Sequence, residues 1–470
     1  MRTIKNERRR TDETAGFQPS AIRKPEREKQ PEGRPLGSKP VAHFFPIHVR
    51  EEASLLSHDN KKPSSFSGFQ NLAMIALTVA NSRLIVEDYR KYGLIMTFYR
   101  IGISQHDLRI ISNLLLTTPL HLLVAFGIEY FASLYVKKPD IPHKPKQLWQ
   151  LFAVLHAINA ALSLAITSFV VYFFVDHPFI GTICECHALV LCLKLSSYAL
   201  ANRDLRDSYL KGEPLPPLYA SCPYPRNISI GNLLYFWLAP TLVYQPAYPR
   251  SEKIRWTFLF KRVLEIVGTI FVIWFLSGKY AIPILEHSLS HFEDGDMLLV
   301  LESLMKLSSV SMGIWLIGFF LVFQSFLNFL AEILRFGDRN FYQDWWNSGS
   351  VGTYWRLWNK PVTNYFKRHF YVPLRRRGYG QISSSIIVFT ISAFLHEMLV
   401  GVPTKNFIGV AFFCIIVQVP LIMVTAPLEK MRGPATRIGN CIFWLSFFLG
   451  QPTGVLLYYF AWNIKRKSYI

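Results

Sequence analysis

The sequence predicts an all-α integral membrane protein with about nine transmembrane helices. Of its 470 residues 51% are hydrophobic and only 17% are charged, whereas an ordinary soluble domain has about 25% charged residues. The apolar residues also fall in blocks longer than the roughly 20 residues that a spanning helix needs, such as 148–175 and 313–334. In hydrocarbon, backbone polar groups must be paired within a helix or a closed barrel, which favours helices for these blocks.

Nine apolar segments are predicted to span the membrane: 68–90, 108–136, 148–176, 178–199, 258–285, 298–335, 382–402, 406–428 and 438–463. The segment 226–248 is also apolar, but Pro240 and Pro246 interrupt it. This pattern favours a re-entrant or interfacial segment that is buried in protein. The segment 298–335 exceeds one bilayer crossing, so we expect it to tilt or to project beyond the membrane.

The N-terminal region has a different composition from the rest. Residues 1–65 are rich in Arg, Lys, Glu, Pro and Ser and contain few large apolar residues. This composition predicts a mostly disordered region, followed by one multi-pass domain over residues 66–470. Apolar and aromatic residues reappear within 45–75, before the first span. We expect this stretch to pack on a neighbouring copy of the chain.

The net charge of +20 would suggest a nucleic-acid partner in a soluble protein. In a membrane protein, Lys and Arg gather in loops that face the cytosol and anionic lipid, so we expect no nucleic-acid partner. Charged residues inside the predicted spans are expected to snorkel or to pair: Glu129, Glu185, Lys194, Glu265 and Glu332. Three cysteines near His187 lie within a span and lack a second CxxC-type pair, which argues against a metal site.

A loop between two predicted spans, residues 335–380, combines aromatic rings with cations. It holds Trp345, Trp346, Trp355 and Trp358, and Arg and Lys residues that include Arg375, Arg376 and Arg377. The positive-inside rule places the loop in the cytosol. One interpretation is an interfacial belt of anchors. The other is a site where an aromatic ligand stacks and its phosphates meet Arg and Lys, and four Trp in fourteen residues favour it.

Two features together resemble the membrane-bound O-acyltransferase family. The first is the stretch FYQDWWN, and the second, about fifty residues on, is His396-Glu397 inside a predicted span. The residues of the first stretch that carry the resemblance are Phe341, Tyr342, Asp344, Trp345, Trp346 and Asn347. Further similar stretches are APTLVYQPAYPR at 239–250, WNKPV at 358–362, RHFYVP at 368–373, SAFLHE at 392–397 and GQP at 450–452. The resemblance covers roughly residues 48–463, and it is strongest to the branch that acylates diacylglycerol and sterols.

The resemblance implies helices that enclose a catalytic chamber and an acyl-CoA-dependent enzyme that makes triacylglycerol from diacylglycerol. It implies no cofactor, because acyl-CoA is a substrate. It also implies a homodimer or homotetramer in the endoplasmic reticulum membrane, with a cytosolic N-terminus and membrane lipid around it. One alternative is a sterol or wax-alcohol acyltransferase. Another is a transporter with a His-Glu proton relay, although a proton path needs no aromatic docking surface.

His396 is the predicted general base. Esterification of an alcohol by a thioester requires removal of the hydroxyl proton, for which a neutral imidazole is suited. The leaving CoA thiol has an ordinary pKa near 8.5, so no covalent enzyme intermediate is required. His396 lies fourteen residues into a span that begins near Ile382, where an ionisable group suggests a functional site. The alternative is a structural histidine bonded to a neighbouring helix, and the resemblance favours catalysis.

Helical spacing assigns neighbours to this base. Ser392 lies four residues back on the same helix face, so we expect it to line the chamber or to hold the acceptor. Glu397 is about 100° round the helix and cannot mimic a triad carboxylate. It is expected to be protonated, to bind a neighbouring helix or to tune His396 indirectly.

The resemblance supplies the remaining candidate residues. It implies that Asn359 lies near the thioester, that Trp358 stacks on the CoA moiety, and that Gln418 and Gln451 face the chamber and orient a glycerol ester. Without the resemblance, the chemistry of the two glutamine side chains is equally consistent with hydrogen bonds between helices. The chain departs from the family pattern at three positions. Met398 replaces the tyrosine of His-Glu-Tyr, Thr363 replaces a usual histidine and Val372 replaces a usual lysine.

Overall fold

All the regular structure that can be described is helical. The computed structural model describes residues 102–137, 146–431 and 434–467, together with Val86 and Arg90. Within these residues no strand forms, apart from an isolated bridge between Arg250 and Phe336. The all-α prediction is confirmed. The region 1–65 and the stretch 45–75 lie outside the described residues, as does the predicted first span except for the two isolated residues.

The described chain forms sixteen α-helices in sequence: α1 Gln105–Thr117, α2 Leu120–Lys137, α3 Lys146–Phe174, α4 Pro178–Lys211, α5 Ile230–Leu238, α6 Trp256–Leu276, α7 Ile282–Glu293, α8 Met297–Phe319, α9 Leu327–Ile333, α10 Val351–Leu357, α11 Lys360–Phe366, α12 Val372–Arg376, α13 Gln381–Thr404, α14 Val410–Ile416, α15 Gln418–Met431 and α16 Pro434–Lys467. Turns of π-helix connect α6 to α7, α8 to α9 and α11 to α12: Ser277–Ala281, Phe320–Phe326 and Lys367–Tyr371.

Seven helical segments of the described chain are long and apolar enough to cross a membrane: Gln105–Val136, Gln147–Phe174, Pro178–Lys211, Met297–Ile333, Gln381–Thr404, Val410–Glu429 and Thr436–Lys467. They correspond to seven of the nine predicted spans. The predicted span 258–285 is helical, as α6 and α7, but α6 carries Lys261, Arg262 and Glu265 within its 21 residues and is not among the seven. The multi-pass architecture is confirmed, whereas the count of nine is not.

Contacts between the ends of the helices define two faces of the bundle. We call the face that carries residues 334–380 the Trp-rich face. Lys405 on the other face pairs with Asp176 at 3.0 Å, and Lys467 pairs with Glu293 at 2.6 Å. These contacts bring the connections after α3, α7 and α13 and the end of α16 to one side, which we call the opposite face.

Charged residues inside the bundle are paired with partners on neighbouring helices. The Glu129 carboxylate accepts hydrogen bonds from Arg206 at 3.0 Å and contacts His156 at 3.1 Å. Glu332 binds two arginines of the Trp-rich face, and Arg262 donates to Glu265 at 2.7 Å. The expected pairing is confirmed for these groups. The span predicted to end at residue 199 continues to Lys211, where Gly212 ends the helix in the left-handed conformation.

The predicted re-entrant segment is held by a buried lysine. Helix α5 ends at Leu238 without a further turn, so its last carbonyl groups lack intrahelical donors. The ammonium group of Lys194, which is 4% exposed, donates to two of them, Phe236 and Trp237, at 2.9 and 2.7 Å. It also donates at 2.8 Å to the carbonyl of Ala239, the residue that follows the helix. A cation at a helix C-terminus also interacts favourably with the helix dipole. Lys194 therefore fixes α5 against α4.

Lys194→Met should destabilise the fold because it leaves the carbonyl groups of Phe236 and Trp237 without a donor, whereas that of Ala239 still accepts from the Thr241 N–H. Hydrogen bonds to charged groups contribute about 1.5–3 kcal/mol each, so we expect a loss of at least about 3 kcal/mol. Thermal unfolding of the purified protein in detergent measures the change. Lys211→Met, at the exposed end of the same helix, is the control and should unfold like the wild type. Equal unfolding temperatures for the two variants would refute the role assigned to Lys194.

Candidate active site

A large cavity runs through the helical bundle. Its volume is about 2050 Å³, and residues from α6, α8, α10, α13, α14, α15 and α16 line it. Trp355 and Trp358 lie on its wall toward the Trp-rich face, and His396 lies farther in. Most of the remaining wall is apolar, including Ile270, Leu421 and Phe447. The cavity is large enough for several acyl chains and offers them an apolar wall.

His396 faces this cavity with one ring nitrogen already engaged. Nδ1 lies 2.7 Å from the backbone carbonyl oxygen of Ser392, four residues back on α13. A carbonyl oxygen only accepts hydrogen bonds, so Nδ1 must carry the proton and donate it. Nε2 is then the unprotonated nitrogen and is available to accept a proton. The hydroxyl of Ser392 is 3.5 Å from the same Nδ1, so Ser392 orients the His396 ring mainly through its backbone.

Glu397 points away from His396 and joins three helices. Its carboxylate accepts hydrogen bonds from the backbone N–H groups of Gly409 and Phe412 at 2.8 and 3.1 Å. These two groups begin α14, whose first N–H groups lack intrahelical partners. The hydroxyl of Tyr458 on α16 donates to the same carboxylate at 2.7 Å. Of the roles considered for Glu397, the geometry favours binding to neighbouring helices. We call this arrangement of Glu397, Gly409, Phe412 and Tyr458 the Glu397 clasp.

The clasp matters for the site because the helices it joins carry the cavity wall. Ala411 and Cys414 on α14 line the cavity, and so does Tyr458 itself. Tyr458 was missed in the sequence analysis. It lies 61 residues from Glu397, and a tyrosine in an apolar span gives no local signal of its partner.

The two predicted glutamines both line the cavity. Gln418 donates through Nε2 to the carbonyl oxygen of Cys414 at 3.2 Å, a contact within one helical turn. The side-chain oxygen of Gln451 is buried, and no donor among the described residues reaches it. A buried acceptor without a partner costs about 1–3 kcal/mol. A ligand that brings a hydroxyl or amide donor to Gln451 would remove this cost.

Asn359 and Trp358 are adjacent in sequence but have separate surroundings. The Asn359 side chain caps α11 by accepting from the Val362 N–H at 3.1 Å, and it is not among the cavity-lining residues. Trp358 does line the cavity, and its ring stacks on Tyr354 at 5.8 Å and 13°. Burial raises the pKa of the Tyr354 phenol well above its ordinary value, so this ring stays neutral.

The FYQDWWN stretch forms a packing centre. Trp345 is 2% exposed and contacts the rings of Trp315, Phe319, Tyr354 and Phe443. Such ring pairs contribute about 0.5–1.5 kcal/mol each beyond the burial of area. Cavity-lining residues of three different helices belong to this cluster, so it fixes the cavity wall.

The other residues of this stretch hold its turn in place. Phe341 is buried, and the Tyr342 hydroxyl donates to the side-chain oxygen of Gln324 at 2.7 Å. The Trp346 carbonyl accepts from the Asn440 side chain at 3.1 Å. Asp344 and Asn347 are exposed; Asp344 precedes a short 3-10 turn, Trp345–Asn347, and Asn347 is its last residue.

The three arginines lie on the Trp-rich face, outside the cavity. Arg375, Arg376 and Arg377 are exposed at the end of α12, and Arg375 donates to the Tyr379 carbonyl at 2.7 Å. Their position leaves them open to a ligand that approaches from this face. Thr363, which departs from the family pattern, donates to the Trp355 carbonyl at 2.9 Å and so contributes to the local packing.

Comparisons with known proteins identify the family of this chain. Residues 111–460 match the membrane-bound O-acyltransferase family, and the chain belongs to that family. Among characterised relatives, the chain is similar to diacylglycerol O-acyltransferase 1C of Glycine max, with 37% identity over 437 residues, 90% of this chain and 81% of the relative. It is 36% identical over 428 residues to diacylglycerol O-acyltransferase 1 of Arabidopsis thaliana, a match that covers 88% of this chain and 76% of that relative. Diacylglycerol O-acyltransferase 1 of Dictyostelium discoideum is 35% identical over 408 residues, a match that covers 86% of this chain and 64% of that relative.

Tyr458→Phe and Glu397→Gln should each destabilise the protein because each weakens the Glu397 clasp. Loss of one hydrogen bond to a charged group costs about 1.5–3 kcal/mol. Both variants alter the same Tyr458–Glu397 contact. The double variant should therefore lose less free energy of unfolding than the sum of the losses in the two single variants. Thermal unfolding in detergent gives the three values. Tyr130→Phe, at an outward-facing ring of α2, is the control, and strictly additive losses would show that the two side chains do not interact.

Proposed function

We propose that this protein is an acyl-CoA-dependent diacylglycerol O-acyltransferase that forms triacylglycerol within the membrane. The observation that carries the proposal is 37% identity over 90% of the chain to a diacylglycerol O-acyltransferase. The site supports it chemically. A largely apolar cavity of about 2050 Å³ is lined by two histidines, His177 and His396. Nδ1 of His396 is bonded to a backbone carbonyl, which leaves Nε2 of the neutral ring free to accept a proton from a water-insoluble alcohol.

The proposed reaction is a single transfer with His396 as general base. Nε2 of His396 takes the hydroxyl proton of diacylglycerol as the hydroxyl oxygen attacks the thioester carbonyl carbon. The carbon–sulfur bond then breaks, and the CoA thiolate receives the proton from the imidazolium. The bond between Nδ1 and the Ser392 carbonyl holds the ring in the required tautomer throughout.

The cavity wall is proposed to place the two substrates. The side-chain oxygen of Gln451 would accept from the acceptor hydroxyl, and the amide groups of Gln418 and Gln451 would donate to its ester carbonyls. Glu397 and Asn359 act as positioning residues, because the first binds α14 and the second caps α11. Trp358 offers a ring at the cavity wall for the pantetheine or adenine portion of CoA.

The Trp-rich face is the proposed docking surface for CoA. The phosphates of CoA suit the exposed cluster Arg375, Arg376 and Arg377. A chain in which all three are Gln should show a raised KM for acyl-CoA and an unchanged KM for diacylglycerol. An equal rise in both constants would assign the arginines to folding or membrane anchoring instead.

We also propose the membrane in which the protein lies and its oligomeric state. The endoplasmic reticulum suits an enzyme that uses cytosolic acyl-CoA and membrane diacylglycerol, and a cytosolic N-terminus follows from the basic Trp-rich face. A homodimer or homotetramer is proposed with the stretch 45–75 at the contact between protomers. Light scattering in detergent should give at least twice the 54.3 kDa of one chain, and deletion of residues 1–75 should lower that mass.

His396→Ala should abolish acyl transfer without unfolding the protein. Removal of a general base typically costs 10²–10⁴-fold in turnover. Incorporation of radiolabelled oleate from oleoyl-CoA into triacylglycerol by the purified protein measures the change. His287→Ala, an exposed histidine of α7 outside the cavity lining, is the control. Near-normal turnover in folded His396→Ala would remove His396 from the mechanism.

The acceptor is expected to be diacylglycerol in preference to a sterol. A sterol has no ester carbonyls, so the amide groups of Gln418 and Gln451 would be left unpaired beside it, at about 1–3 kcal/mol each. We expect at least about tenfold faster esterification of 1,2-diacylglycerol than of cholesterol or ergosterol, equivalent to about 1.4 kcal/mol. Gln451→Leu should lower the ratio of the two rates because it slows the esterification of diacylglycerol. Equal or faster esterification of the sterol would establish the sterol acyltransferase alternative.

A further inference from the structure

The cavity has a second end at the opposite face, and this end is polar. Its lining there includes Ser104, Asp107, Asp176, Thr404, Lys405 and Lys465. We propose that this end admits water to His396, so that the protein hydrolyses acyl-CoA when no acceptor alcohol occupies the cavity. The inference rests on the proposed role of His396 as base, but it adds a second reaction and a second entrance.

Two helices connect the base to the polar end. On α13 the residues His396, Val400 and Thr404 recur every four positions, which places them on one helix face, and all three line the cavity. Eight residues of α-helix span about 12 Å. On α16 the cavity lining continues from Gln451 through Tyr458 toward the same face. The path from His396 to the opposite face is therefore short and continuous.

The polar end is in contact with solvent. The Asp176 side chain is 85% exposed and the Lys405 side chain 30% exposed, and the two form an ion pair at 3.0 Å across the end of the cavity. Exposed ion pairs are weak and open readily. The Asp107 carboxylate, which is buried, accepts from the Asp176 N–H at 3.1 Å. Polar groups thus extend from the surface into the cavity, where they can hold water.

Lys405 occupies a backbone position where glycine would be easier to accommodate. It ends α13 in the left-handed conformation, with φ of 55°, and glycine or asparagine is usual at such a site. Its carbonyl accepts from Lys465, and its side chain reaches Asp176. A bulky residue retained in a left-handed conformation points to a use for its side chain. Here the side chain narrows the entrance and so limits the access of water.

Hydrolysis would use the same base and the same bond cleavage as transfer. Nε2 of His396 takes a proton from water, and the water oxygen forms a bond to the thioester carbonyl carbon. The carbon–sulfur bond breaks, and the CoA thiolate takes the proton from the imidazolium. The products are a free fatty acid, which contains one oxygen from water, and CoA.

The test uses the purified full-length protein in phospholipid nanodiscs with oleoyl-CoA and no diacylglycerol. Release of CoA is followed with a thiol reagent, and oleate is analysed by mass spectrometry in ¹⁸O-labelled water. We expect release that His396→Ala abolishes and oleate that carries a single ¹⁸O. Transfer to added diacylglycerol is measured in parallel. Wild-type release no faster than that of His396→Ala, with normal transfer, would overturn the inference and leave the proposed function intact. Loss of transfer in the wild type would instead overturn the proposed function.

Two lysine variants test the entrance. Lys405→Gly removes the side chain and suits the left-handed backbone, so the fold should be kept. It should raise hydrolysis by about two- to fivefold, the range expected for loss of one exposed ion pair, with transfer nearly unchanged. Lys467→Ala is the control, because Lys467 pairs with Glu293 on the same face but does not line the cavity. An equal rise in the rate of hydrolysis in Lys405→Gly and Lys467→Ala would show that surface charge, and not the entrance, controls hydrolysis.

Discussion

Three donors from two neighbouring helices converge on the carboxylate of Glu397, and the shape of the cavity depends on this contact. The helix that carries His396 is thereby tied to the start of α14 and to α16. Helices in a lipid environment gain little from burying apolar side chains against one another, since lipid is equally apolar. Polar contacts and close packing therefore set their positions. The residue after His396 acts on the site through the backbone that it holds.

The aromatic cluster around Trp345 complements this polar contact at the other end of the cavity. The rings join the turn at Trp345–Asn347 to α8, α10 and α16, and Trp358 connects the cluster to the cavity wall. The attraction between packed rings does not depend on removing them from water. Such packing therefore also stabilises a region at the edge of the membrane. His396 lies between a hydrogen-bonded wall and a wall of packed rings.

The sequence predicts the helical architecture well because apolar length is a local property. Seven predicted spans correspond to long helices, and His396, Gln418, Gln451 and Trp358 all line one cavity. Contacts between distant residues escape this reasoning. Neither Tyr458 as a partner of Glu397 nor Lys194 as the cap of α5 has a signal in the nearby sequence, because each depends on helix placement in three dimensions.

Sequence resemblance also transfers residues more easily than it transfers their surroundings. The resemblance implied that Asn359 lies near the thioester, whereas its side chain caps α11. Ser392 was expected to line the chamber or to hold the acceptor, whereas it is not among the cavity-lining residues and its carbonyl contacts His396. Helical spacing gives the face on which a residue lies. It does not say whether the side chain or the backbone of that residue makes the contact.

The cap that Lys194 provides for α5 has a consequence for the order of synthesis. The carbonyl groups that satisfy this ammonium lie 42 to 45 residues later in the chain. A lysine at the centre of a span costs about 2.5–3.5 kcal/mol on insertion. At about 5–20 residues per second, the ribosome needs roughly 2–9 s to supply its partners. During those seconds the Lys194 side chain is without the carbonyl groups that it binds in the folded chain.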